Sequence, residues 1–98
     1  MIRHILLIKF KADASETSIQ QAQQNFLDIP NKISGVLSVE WGKNDSPEGL
    51  NKDYQYSVLM SFSDEAARQS YLPHPEHEKL KQQFIPLLED IIVFDYTL

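Results

Sequence analysis

Ile2-Arg3-His4-Ile5-Leu6-Leu7-Ile8-Lys9-Phe10 opens the chain, and its reading decides the fold. The segment is short, rich in strand-forming residues and followed by the polar Lys11-Ala12-Asp13, a pattern that predicts a strand. Successive side chains of a strand point to opposite faces. Ile2, His4, Leu6, Ile8 and Phe10 therefore share one face, and Ile5 and Leu7 lie on the other. Both faces are apolar. An antiparallel sheet with one wet face should instead alternate between apolar and polar residues. The same departure recurs twice further on. In a strand predicted from Tyr54 to Phe62, Val58, Met60 and Phe62 are opposed by Leu59. In a last strand from Ile91, the residues Ile92, Phe94 and Tyr96 are opposed by Ile91 and Val93.

The segments between these strands complete the order. A helix is predicted to start between Asp13 and Ser15, with Asp13 and Glu16 at capping-box spacing. Ile19, Ala22, Phe26 and Ile29 then fall on one helical face, a Gln-rich side faces water, and Pro30 stops the helix. Gly35 leads into a second strand through Trp41, closed by Gly42, and Lys43 to Asp53 form a loop. After the third strand, Ser63-Asp64-Glu65 starts a helix that Pro73 and Pro75 break. Pro75 suits the first turn of its continuation, which carries Leu80, Phe84, Leu87 and Leu88, with Pro86 late enough to kink or shorten its end. The order βαββαβ is the ferredoxin-like arrangement of the α+β class, a four-stranded antiparallel sheet with its helices on one face. Two helical elements cannot cover two apolar faces. The simplest cover for the second is another copy of the chain, so a homodimer forming a dimeric α+β barrel is expected. Residues 1–98 read as one domain without repeats.

Composition narrows the function. With 9 basic and 14 acidic side chains the net charge is −5, which disfavours nucleic acid as a partner. No cysteine is present, so disulfides, thiolate metal sites and thiol nucleophiles are excluded. No stretch approaches the ~20 apolar residues of a membrane span, and nothing at the N-terminus resembles a targeting signal, so a cytoplasmic protein without membrane contact is expected. Phosphate-binding, dinucleotide and nucleophile-elbow motifs are missing, and no cofactor is expected. Asp45, Glu48 and Asp53 read as a solvated loop, and His74-x-x-His77 lacks the spacing of a zinc helix, so no metal is expected either.

Chemistry at neutral pH then rests on histidine and tyrosine. His4 shares the parity of the larger apolar face. His77 precedes Leu80 by three residues and Phe84 by seven, which puts it on the core-facing stripe of its helix. Tyr56 shares the parity of Val58 and Met60, Tyr71 ends the preceding helix, and Phe26 would wall the space from the first helix. Together they predict a small-molecule pocket between helices and sheet. A single histidine on an apolar face is more often a core residue with satisfied ring nitrogens, but two on facing elements bring a shared pocket level with that reading. His74 reads as a turn or helix-cap residue, and Trp41 as a strand residue packed in the dimer barrel or at its rim.

Residues 2–11, Gly35-Val36-Leu37-Ser38-Val39-Glu40-Trp41-Gly42, Ser46-Pro47-Glu48, Tyr71-Leu72-Pro73-His74-Pro75-Glu76-His77 and 88–96 together resemble the stress-responsive A/B barrel (Dabb) family. The likeness runs nearly the whole chain, and His-Pro-x-His after a tyrosine is its most specific element. The resemblance implies a dimeric α+β barrel. It leaves three functions open: binding of a small apolar or aromatic molecule, a lyase, isomerase or cyclase activity on a carbonyl substrate, and a purely structural stress role. One plant branch closes a linear poly-β-keto thioester by aldol condensation. Similarity to that branch makes His77 the general base, Tyr71 its partner and His4 a pocket residue. Where many members read Gly-Tyr-Thr-His, this chain reads Asp53-Tyr54-Gln55-Tyr56, and Phe26 stands where the cyclase branch has a pocket tyrosine.

Overall fold

In the computed structural model, which describes Met1–Leu98, four strands are joined by helices in the expected order. They are β1 (Ile2–Phe10), α1 (Glu16–Leu27), α2 (Ile29–Lys32), β2 (Val36–Lys43), β3 (Tyr56–Phe62), α3 (Glu65–Tyr71), α4 (Pro75–Phe84) and β4 (Leu88–Thr97), with a 3-10 turn over Ile85–Leu87. The sheet runs β2-β3-β1-β4, and every pairing is antiparallel.

Local chemistry sets the helix ends. Ser15, not Asp13, caps α1, its hydroxyl accepting from the Ser18 amide at 3.1 Å. Pro30 does not stop a helix but sits in the first turn of the short α2, where its missing N–H is not needed. Asp64 caps α3 through the Ala67 amide. His74 caps α4, with Nδ1 accepting from the Glu76 amide at 3.0 Å, and Pro75 occupies the first turn. Pro86 falls in the 3-10 turn, so the last strand begins at Leu88 rather than Ile91 and Leu88 is not helical.

The core lies between the sheet and α1, α2, α3 and α4. Ile2, Leu6 and Ile8 of β1 and Val58, Met60 and Phe62 of β3 are buried on that face. Phe26 of α1 meets Phe84 of α4 edge to face at 4.9 Å between ring centres. Trp41 belongs here too, not in the bare face. The β2–β3 register shifts between Val36 and Ser38, so Val39 pairs with Met60 and Trp41 with Val58. Such a bulge reverses which parity faces the helices downstream of it. Leu37 is left exposed, and Trp41 packs against Phe10, Phe26 and Tyr56.

No helix covers the opposite face. Ile5 lies between Leu59 and Phe94, and Leu7 is paired to Ile92. Leu7, Ile92, Tyr96 and Phe94 are 38%, 40%, 44% and 60% exposed in the single chain.

Candidate functional site

Strand register puts His4 between Met60 of β3 and Asp95 of β4. Asp95 Oδ1 lies 2.6 Å from His4 Nδ1, and its Oδ2 accepts from Arg68 of α3 at 3.2 Å. Arg68 in turn pairs with Glu65. A carboxylate accepts, so Nδ1 of His4 donates, and Nε2 has no partner within the chain. The ring is buried and leans on Phe62 and Tyr71.

The second imidazole comes from the break between α3 and α4. The two prolines around His74 turn the chain so that Leu72 presents its carbonyl to His77, 2.9 Å from Nδ1. A carbonyl can only accept, so Nδ1 again donates and Nε2 keeps its lone pair, with no partner in the chain. The His77 ring stacks on Tyr71, with 4.2 Å between ring centres and 32° between planes. Burial lowers the His77 pKa from its usual 6.5, and the Lys81 ammonium lowers it further against the opposing pull of the Leu72 carbonyl. Neutral imidazole is therefore the form present at pH 7. Tyr71 is almost fully buried, and burial pushes its phenol well above the ordinary range. It stays a proton donor. Its hydroxyl makes no hydrogen bond within the chain, yet no side-chain polar atom is sealed from solvent without a partner, so this hydroxyl opens onto space.

That space is a cavity of about 260 Å³ between the sheet, α1, α3 and α4. An apolar cavity of roughly 150 Å³ is enough for benzene, so a substituted ring or a short chain fits. His4, Tyr71, His77 and Phe26 all line it, with Leu80 and Phe84 behind them. Leu72, Ile85 and Val93 also line it and are about half exposed, so the cavity opens to solvent through an apolar rim. Tyr56 is not part of it. It faces the helices, but it pairs with Ile8, four residues along β1 from His4, about 13 Å at strand spacing. There it packs on Phe10 and Trp41 and borders a separate hollow of about 510 Å³ beneath the loop before β3, which contains no histidine. No three His, Asp or Glu side chains converge as a metal site requires.

The family model that matches residues 2–98 is that of the Stress responsive A/B Barrel Domain, Dabb. The chain belongs to this family. Among its relatives, the Stress-response A/B barrel domain-containing protein HS1 of Arabidopsis thaliana is 28% identical over 95 residues, covering 97% of this chain and 87% of that protein. Olivetolic acid cyclase of Cannabis sativa is 25% identical over 96 residues, covering 98% and 95%. The hydroxynitrile lyase of Passiflora edulis superposes with a TM-score of 0.92 at 21% identity, over 99% of this chain and 92% of the enzyme. A protein of unknown function from Thermobifida fusca, described as dimeric and ferredoxin-like, superposes at 0.84 with 21% identity, over 99% and 90%. The last two share this fold.

Asp95, Arg68 and Lys81 were not among the residues singled out from the sequence. Asp95 carried a usable signal, being a carboxylate at the parity of Ile91 and Val93. Lys81 carried another, standing four residues after His77 and so on its helical face.

The depressed His77 pKa has a consequence for stability. The unfolded chain binds a proton at this residue near pH 6.5, and the folded chain only at lower pH. Stability contributed by neutral His77 is therefore complete above pH 6.5 and declines as pH falls toward the folded-state pKa. Urea midpoints measured from pH 7.5 to 5 should fall, and His77→Gln should flatten that slope. An unchanged slope in the variant would assign the pH dependence to other groups.

Proposed function

We propose that this Dabb protein acts as a homodimer that binds a small apolar carbonyl compound in the His4–Tyr71–His77 cavity and moves a proton on it. The observation that carries this reading is the His77 ring. Its Nδ1–H is held by the Leu72 carbonyl, which leaves the basic Nε2 without a partner beside an apolar cavity. A neutral imidazole so placed can take a proton from the carbon next to a carbonyl. The un-ionised Tyr71 hydroxyl can donate to the oxygen on which negative charge then collects. His4, oriented by Asp95, offers a second nitrogen at the same wall. Relatives named as a cyclase and a lyase support proton-transfer chemistry in this fold. Phe26 supplies a wall without a hydroxyl, and Tyr56 lies outside the cavity, so the compound bound need not be the one any relative takes. The apolar bare face, and neighbours described as dimeric, support assembly through the sheet.

Deuterium incorporation beside the carbonyl of 2-heptanone, followed by NMR, tests the reaction, and thermal shift tests binding. The native protein should accelerate exchange. His77→Ala should reduce the catalysed rate about 10²- to 10³-fold, and Tyr71→Phe by roughly tenfold or more. Ligand-induced stabilisation without exchange would reduce the reading to a binding protein. Failure of ketones, β-keto thioesters and small aromatic acids alike to raise the melting temperature would leave the structural role.

A further inference from the structure

One side chain of the cavity wall carries a fixed charge and takes no proton in that transfer. Lys81 lies on α4 four residues after His77, one helical turn along the same face. Its neighbours on the wall, Leu80, Phe84 and Ile85, are apolar. No carboxylate lines the cavity, and Lys81 is its one side chain of fixed charge. A lysine in such a wall lays its methylene stem against the hydrocarbon and keeps its ammonium at the rim. The partner of that ammonium within the chain is Glu78, at 2.8 Å, itself more than half exposed. Exposed pairs three residues apart on a helix contribute little stability. Exchanging Glu78 for an anionic ligand therefore costs little, and the new pair would form beside an apolar surface that partly excludes water.

We propose that Lys81 is a specificity-determining residue that binds the anionic end of the ligand, so that the site takes small carboxylates with an apolar body. The carboxylate sits at Lys81 near the rim, the apolar body fills the cavity, and a carbonyl of the same molecule reaches His77 and Tyr71 about one helical turn, roughly 5 Å, away. A keto acid meets these requirements, and a neutral ketone meets only two of them. This deepens the proposed function and rests on its pocket.

The test is a pair of probes alike in shape and different in charge, 4-butylbenzoate and 4-butylbenzamide, titrated into the ¹⁵N-labelled protein and followed by NMR. The acid should bind the native protein about tenfold more tightly than the amide, as a charge-assisted contact requires. Lys81→Met, which keeps the stem, should bring the acid down to the affinity of the amide and leave the amide unchanged. Lys81→Arg should keep the preference, and Glu78→Gln should tighten the acid severalfold by removing the competing carboxylate. Equal affinities in the native protein, or an equal loss for both probes in Lys81→Met, would overturn the role of Lys81 while the pocket stands. If neither probe shifts resonances of residues lining the cavity, pocket and Lys81 reading fall together.

Discussion

Gly35→Ala is expected to lower the unfolding free energy by about 3 kcal/mol, the sum of a backbone and a packing penalty. Gly35 joins α2 to β2 with φ +91°, a region that residues with a Cβ rarely adopt. A Cβ built on it would lie 2.6 Å from the Cβ of Ala67, which is buried on α3. Nothing at that contact is the flexible end of a long side chain, so backbone has to move. The Gly35 carbonyl also accepts from the Ser63 amide at 3.0 Å, tying the entry of β2 to the end of β3. Urea unfolding followed by circular dichroism measures the loss. Ala67→Gly in the same chain should restore the packing share and leave the dihedral share, which separates the two causes. A loss below about 1 kcal/mol for the single variant would show that the close approach relaxes easily.

The second large effect concerns assembly. Phe94→Glu is expected to convert the proposed homodimer into a monomer near 11.3 kDa by light scattering at micromolar concentration. Phe94 pairs with Ile5 across the strands and is 60% exposed in the single chain, on the face away from the helices. In the proposed interface, a carboxylate buried against Leu7, Ile92 and Tyr96 should weaken association by at least about 10²-fold. Because the side chain points away from the core, the monomer should keep its secondary structure. Its melting temperature should lose the concentration dependence that a dimer shows. A variant that retains the dimeric size would show that the copies do not meet through this face.

Much of the geometry of the candidate site was legible in residue spacing, and the gaps have specific causes. Alternation along β1 was enough to turn His4 toward the helices, and helical spacing was enough to put His77 on the inner stripe of α4. The prolines around His74 marked the break that brings Tyr71 and His77 together. Parity failed for Tyr56 because it fixes a face and not a position along the strand. The place of Trp41 was hidden by the bulge between Val36 and Ser38, which shifts the strand pattern by one residue, and nothing in Leu37-Ser38 announces it. The cap of α1 offered two acceptors in Asp13 and Ser15, and only backbone geometry selects Ser15.

The Ile2–Phe10 strand and its two counterparts show where the division falls. Element order, the antiparallel sheet and the two apolar faces follow from short-range patterns, because side-chain direction in a strand or helix is a local property of the backbone. The meeting of His4 with Asp95, 91 residues apart, and of His77 with the Leu72 carbonyl was decided by register and by the turn between α3 and α4. Those contacts select which ring nitrogens are free. Hydrogen bonds act over about 3 Å, and only the folded chain brings distant residues to that range.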